Sequence, residues 1–254
     1  MKPSEVPKQL TTEIELGYKN LIVSGCSFTR NFHKVFSNSW PHYLRDLGGF
    51  DQVTDLSLPG AGNYHIATSM QWHLENNYFD INDTLVIVMW SGNDRDDEIV
   101  SHEHLNDYPF KFNYDSTVVS AITTGIGYTN KGNISRDFCI QKQKYKTYQS
   151  RTIENYLYIS GLYHYLRSNQ YKFLFLNYLD REIPKRSLDF NIDKYLPKNL
   201  KSKLNSMVNT KVENIYKWCL KRDLLAEDDF HPSMDGHLNW TREVLLPFLS
   251  NCKL

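Results

Sequence analysis

The chain has 254 residues, 41% hydrophobic and 23% charged, the balance of a folded globular protein rather than a disordered one. Its 29 Lys and Arg offset 29 Asp and Glu to a formal net charge of zero. That balance argues against nucleic acid as a partner, because gripping a phosphate backbone needs a basic excess.

The opening Met1-Lys-Pro-Ser-Glu-Val-Pro-Lys has no apolar core of a leader peptide, so a cytoplasmic chain is expected. Lys19 to Gly25 reads as a short buried strand ending at glycine. Ser39 to Gly49 reads as a helix with a serine cap, Pro41 in its first turn and glycine at its end. Asp51 to Ser57 is a second strand, broken by Pro59-Gly-Ala-Gly62. Asn63 to about Asn77 is a helix with Ile66, Met70 and Leu74 on one face. Thr84 to Trp90 is continuously apolar, as a strand buried on both faces should be, and far too short to span a bilayer. No membrane partner is expected.

From 95 to 147 the periodicity dissolves into polar, Tyr-bearing sequence, the signature of an elaborated loop or small subdomain. Tyr148 to Ser168 forms a long helix and Lys172 to Tyr178 a fourth strand. The 181–224 stretch is rich in Lys and Asn, with helical segments near 200–207 and 212–220. A turn-rich loop over 227–236 leads into a closing helix from His237 to Leu249. Strands alternating with helices predict one α/β domain over 1–254. The expected architecture is three-layer α/β/α with a flavodoxin-like, mostly parallel sheet of order 2-1-3-4. A fifth strand is not evident, and two insertions, 95–147 and 181–224, should decorate the catalytic edge.

Ligand sites in such sheets lie beyond the carboxyl ends of the strands. Four segments fall there: Ser24-Gly-Cys-Ser-Phe-Thr29, Leu58-Pro-Gly-Ala-Gly-Asn63, Trp90-Ser-Gly-Asn-Asp94 and Glu227-Asp-Asp-Phe-His-Pro-Ser233. They supply a serine on a strand-to-helix turn, a backbone-exposing glycine, an asparagine amide and an Asp–His pair. Acyl transfer needs those parts: nucleophile, oxyanion donors, base, and a group that orients the base. Three residues of spacing set Asp228 and His231 on one side of a turn, so the carboxylate can hold one imidazole nitrogen. The other nitrogen then faces a serine. Asp229 is the alternative orienter. Ser27 and Asn93 could instead be helix caps, Asn93 together with Asp94, and Gly60 and Gly62 simple turn glycines.

The four segments resemble the signature blocks of the SGNH (GDSL-like) hydrolase superfamily. Gly25-Cys-Ser-Phe stands where that family has Gly-Asp-Ser, which implies Ser27 as nucleophile. Asp55 to Gly60 resembles the second block, with Gly60 as its oxyanion glycine. Ser91-Gly-Asn-Asp94 resembles the third, with Asn93 as the side-chain donor. Asp228-Asp-Phe-His231 resembles the fourth, with Asp228 and His231 completing the triad. Cys26 in place of aspartate and Ser91 in place of glycine are departures. The resemblance implies a serine esterase forming an acyl-enzyme; the substrate expected here is a small acyl ester, acetyl in the first instance, on a carbohydrate. An O-acetyltransferase with the same triad is the closest alternative. A catalytically idle module binding an anion or glycan is another.

Other candidates carry less. Cys26, Cys139, Cys219 and Cys252 are scattered, without a CxxC pair. His102-Glu-His104 lacks further ligands at metal-site spacing, so neither metal nor cofactor is expected. Arg95-Asp-Asp-Glu98 reads as a solvated acidic stretch, Cys26 as a small buried side chain, and His237 as a helix-start residue. Aromatic residues make up 14%, which fits either a coding bias toward A and T or a sugar-binding surface.

Overall fold

The computed structural model describes residues 10–30, 39–92, 95–101, 111–113, 118–123, 148–178, 200–226 and 230–252. Four strands build the central sheet: β1 (Asn20–Ser24), β2 (Gln52–Asp55), β3 (Thr84–Trp90) and β7 (Lys172–Asn177). Their order is β2-β1-β3-β7 and every pairing is parallel. The expected order is therefore present, and this sheet is wholly parallel rather than mostly so. All seven residues of β3 are buried, which explains its unbroken apolar sequence.

Helices cover both faces, the consequence of parallel strands needing crossovers. On one side lie α1 (Trp40–Gly48) and the C-terminal helices α6 (Met234–Trp240) and α7 (Leu246–Asn251). On the other lie α2 (Asn63–Asn76) and α3 (Tyr148–Ser168). The core between them includes Leu21, Ile22, Val23, Trp40, Ile66, Met70, Val86, Val88, Phe175 and Trp240, all buried. None of the described helices is long and apolar enough to cross a membrane.

α1 starts and stops as its sequence reads, with Pro41 in the first turn and Gly49 left-handed at φ +73°. Ser39 occupies the cap position but makes no cap hydrogen bond with its side chain; its Oγ lies 3.1 Å from His42 Nδ1. Between α6 and α7 the chain makes one π-helical turn, Thr241–Leu245, just ahead of Pro247. Proline has no N–H to continue the regular ladder, and the Leu246 N–H bonds Thr241 O instead.

The 95–147 segment holds a second, antiparallel sheet. Its strands are β4 (Asp96–Ser101), β5 (Lys111–Asn113) and β6 (Val118–Thr123), in the order β4-β6-β5. Within 181–224 lie α4 (Leu200–Met207) and α5 (Ile215–Leu220), the latter starting three residues later than expected. This region does more than decorate an edge: Val208, Val212, Ile215, Trp218 and Cys219 are buried in the core. Asn209 N–H donates to Phe175 O at 2.8 Å, beside β7, where a fifth strand would have paired. Among the described residues the parallel sheet has four strands.

Candidate active site

The turn after β1 is built around its glycine. The N–H groups of Thr29 and Arg30 both donate to Cys26 O, at 2.9 and 3.0 Å. A Cβ on Gly25 would stand 2.0 Å from Thr29 Oγ1 and 3.2 Å from Met89 O, so the turn closes this tightly only over glycine. Cys26 points into the core and is fully buried, as its small apolar side chain predicts. Ser27 follows on the turn, only 4% exposed.

The partner of Ser27 comes from the other end of the chain. Residues 224–226 and 231–233 run antiparallel: Ala226 N–H donates to His231 O at 2.9 Å, and Ser233 N–H to Leu224 O at 2.9 Å. Ser233 then caps α6, its Oγ accepting from Gly236 N–H at 3.1 Å. This small hairpin sets His231 Nε2 2.6 Å from Ser27 Oγ. The imidazole ring is tilted against Phe28, with centroids 4.6 Å apart. Phe28 in turn stacks on Tyr178 at 4.2 Å and meets the edge of Tyr216 at 6.1 Å. An aromatic face against the imidazole holds the ring in place.

His237 corrects its own expectation. It lies in the middle of α6, wholly buried, and its Nδ1 accepts from Trp40 N–H at 3.4 Å. Burial, and secondarily the neighbouring His231, lower it to about 3, so it stays neutral. A helix-start position cannot be told from a buried mid-helix one when the helix begins three residues early.

The loop after β2 is stitched to the first turn. Leu56 N–H donates to Val23 O at 2.8 Å and Leu58 N–H to Gly25 O at 3.1 Å, continuing the parallel pairing past the strand ends. Gly60 is left-handed at φ +83°, a conformation that costs other residues roughly 1–2 kcal/mol. Two arginines grip the loop on either side of it. Arg30 Nη1 donates to Ser57 O at 3.3 Å, and Arg95 Nη1 to Ala61 O at 3.4 Å. No backbone carbonyl among the described residues accepts from the N–H of Ser27 or of Gly60. Both N–H groups belong to loops that follow neighbouring strands, β1 and β2.

Past Gly60, α2 starts without a capping side chain of its own, since Gly62 holds the cap position. Asp97 of β4 supplies the acceptor: its carboxylate takes the N–H of Gly62 and of His65, each at 2.8 Å. Asp97 is buried, so the reading of Arg95 to Glu98 as a solvated acidic stretch is overturned at that residue. A Cβ on Gly62 would come within 2.6 Å of Asp97 Oδ2, which makes Gly62 more than a turn glycine. Asn63, also buried, reaches to the end of β3. Its Oδ1 accepts from Ser91 N–H at 2.8 Å and its Nδ2 donates to Ser91 O at 3.1 Å. Nδ2 donates as well to Asn155 Oδ1 on α3, whose own Nδ2 donates to Arg151 O at 2.7 Å.

The structure thus brings Ser27, His231 and Gly60 to one edge. Asn93 and Asp94, Asp228 and Asp229, and His102 and His104 lie outside the described residues. Sequence reasoning missed Phe28, Asn63, Asp97 and Asn155. One signal pointed toward Asp97: a helix with neither a capping side chain nor an acidic first turn must find its acceptors elsewhere.

No protein-family model matches the sequence, and no curated protein matches it. Solved structures do. Psychrotrophic esterase EstA from Pseudoalteromonas sp., in a form inhibited by monoethylphosphonate, superposes with a TM-score of 0.50 at 11% identity, covering 92% of this chain and 100% of its own. A lipolytic protein of the G-D-S-L family from Desulfitobacterium hafniense DCB-2 gives 0.48 at 13%, covering 88% and 96%. Another member from Veillonella parvula DSM 2008 gives 0.48 at 11%, covering 92% and 99%. The chain shares its α/β fold with the Pseudoalteromonas esterase.

Proposed function

We propose that this protein is a serine ester hydrolase that removes a small acyl group, acetyl in the first instance, from a carbohydrate. The observation that carries the reading is the 2.6 Å approach of His231 Nε2 to Ser27 Oγ. A serine hydroxyl is a weak nucleophile until a base takes its proton as it attacks.

In this scheme Ser27 Oγ adds to the ester carbonyl while His231 Nε2 takes the hydroxyl proton. Asp228 holds the ring from its other nitrogen. Negative charge moves to the former carbonyl oxygen, where the N–H groups of Ser27 and Gly60 and the amide of Asn93 receive it. Collapse breaks the ester C–O bond, and His231 gives its proton to the departing sugar oxygen. Water then attacks the acyl-Ser27 ester, again with His231 as base; the bond to Ser27 Oγ breaks, Oγ takes the proton back from His231, and the carboxylic acid leaves. Phe28 supports both passes by packing against the imidazole that acts in each one.

The fold shared with an esterase supports the reaction class. The aromatic character of the site supports the sugar: Tyr178 and Tyr216 flank Phe28, and Phe230, next to His231 in the chain, is 75% exposed. Exposed aromatic faces suit the apolar faces of pyranose rings. A fluorophosphonate probe tests the reading. It should label the wild type stoichiometrically and leave Ser27→Ala unlabelled, with p-nitrophenyl acetate turnover lost in the same variant. Equal labelling or turnover by Ser27→Ala would overturn it.

A further inference from the structure

Of the proposed oxyanion donors, the N–H groups of Ser27 and Gly60 stand on separate loops, and serving one oxygen requires their spacing to hold within a fraction of an ångström. Gly60 lies in a turn that closes on itself. Ala61 N–H donates to Leu58 O at 3.1 Å, with Pro59 and the left-handed Gly60 between them, the residues and hand of a type II turn. That hand aims the Gly60 N–H, because types I and II differ in the direction of their central peptide. It does not fix where the turn stands relative to Ser27. One backbone bond, Leu58 N–H to Gly25 O at 3.1 Å, ties the turn to the nucleophile's loop, and a single bond does not stop it from pivoting.

Arg30 supplies a second tie. It belongs to the nucleophile's own turn, where its N–H donates at 3.0 Å to the carbonyl of Cys26, the residue before Ser27. Its guanidinium reaches the other loop, Nη1 donating to Ser57 O at 3.3 Å. Ser57 is itself held: Asp55 Oδ1 accepts from Ser57 N–H at 3.0 Å and from Ser57 Oγ. From this we infer that Arg30 is a positioning residue for the oxyanion hole: it keeps the Gly60 turn in register with Ser27, so that both N–H groups meet one oxygen, without itself touching substrate. The inference rests on the hydrolase reading above and deepens it. An arginine that only stabilised the fold could make the same bonds, so kinetics must separate the two roles. If Arg30 acts through Gly60, losing Arg30 matters only while the Gly60 N–H points into the site.

The experiment is a double-mutant cycle on Arg30→Met and Gly60→Ala, with p-nitrophenyl acetate as substrate and folding checked by circular dichroism. Arg30→Met keeps an unbranched stem and removes the donors. Gly60→Ala disfavours the positive φ, which drives the turn toward type I and its N–H away from the site. Gly60→Ala should lower kcat by ~10²–10³-fold, the usual effect of removing one oxyanion donor. Arg30→Met should lower kcat by about 10- to 100-fold with KM within about threefold, the scale of misplacing a catalytic group by an ångström. In the Gly60→Ala background, Arg30→Met should cost less than about threefold more. Multiplying losses, or a folded Arg30→Met with wild-type kcat, would overturn the inference while leaving Ser27 as nucleophile. Wild-type turnover by Gly60→Ala would overturn it too, by removing the donor that Arg30 serves. Retained activity in Ser27→Ala would instead bring down the hydrolase reading.

Should Arg30→Met fail to fold, Arg30→Lys takes its place, because it keeps the charge and loses the planar fork. A smaller kcat loss that vanishes in the Gly60→Ala background supports the inference; one that multiplies overturns it. Should Gly60→Ala fail to fold, phenylboronic acid replaces that arm. It adds to a serine Oγ as a tetrahedral anion and puts an oxygen where the oxyanion forms, so its affinity follows transition-state stabilisation. Its inhibition constant should weaken in Arg30→Met by the same factor, within about threefold, as kcat/KM falls. An unchanged inhibition constant beside a lowered kcat/KM would overturn the inference.

Discussion

Ser27 Oγ and His231 Nε2 meet at 2.6 Å although 204 residues separate them in sequence. One glycine-dependent turn and one short antiparallel pairing bring them together, and nothing local to either residue would do so. If the pair acts as one unit, neither half has value alone. Ser27→Ala and His231→Ala should each abolish most p-nitrophenyl acetate turnover, and the double variant should be little worse than either single one. Losses that multiply would show that the two residues serve separate steps. In the wild type, kcat/KM should rise as the pH is raised, since His231 must be neutral to accept the serine proton.

Much of this arrangement is legible in the sequence. β3 announces itself because burial on both faces demands a continuous apolar run, and strand ends in such sheets are where sites form. Ser27 and His231 follow from that rule and from residue chemistry. Asp97 does not, because its burial depends on β4 packing against the start of α2, a tertiary contact with no periodic trace. The antiparallel sheet was illegible for a related reason: β5 is three residues long, too short to display an alternation.

Asp97 leads to a stability prediction. Its carboxylate satisfies two backbone N–H groups at the start of α2, and removing it leaves both donors buried without that acceptor. Asp97→Ala should lower unfolding free energy by about 1–3 kcal/mol. For a chain of this size that is a fall in Tm of about 2–4 °C per kcal/mol, measurable by differential scanning calorimetry. Gly62→Ala should destabilise by a related route, because the new methyl meets the Asp97 carboxylate at 2.6 Å. An unchanged Tm in Asp97→Ala would mean that water replaces the carboxylate at no cost.

Two buried histidines predict how the fold responds to acid. Burial lowers His65 to about 4, and burial together with the neighbouring His231 lowers His237 to about 3. An unfolded histidine titrates near 6.5. Below that pH the unfolded chain takes up protons that the folded chain refuses, so stability is full above about 6.5 and falls as the pH drops toward 4 and then 3. Each group contributes a slope of about 1.4 kcal/mol per pH unit within its own window. His237→Gln keeps an acceptor for Trp40 N–H and removes one titrating group. Its unfolding free energy, measured by urea denaturation from pH 7 to 4.5, should therefore fall about one proton less steeply than the wild type's. Parallel curves would mean that His237 is protonated inside the fold.

The substrate class can be tested at one exposed side chain. Phe230 is 75% solvent-exposed and precedes His231 in the chain, which leaves its ring open to an acyl acceptor. An exposed phenyl group otherwise costs solubility and packs nothing, which gives a binding role a physical motive. Stacking of an aromatic ring is worth about 0.5–1.5 kcal/mol beyond area burial. For an enzyme that uses the sugar to reach its transition state, that energy enters kcat/KM for the saccharide ester and is missing for an ester of a small alcohol. Phe230→Ala should then lower kcat/KM for an acetylated saccharide by about 2- to 13-fold, the factor those energies convert to. Hydrolysis of ethyl acetate, whose alcohol is too short to reach the ring, should change far less. If both substrates lose activity equally, Phe230 supports the His231 hairpin rather than the sugar; if neither changes, the acceptor leaves by another side of the site.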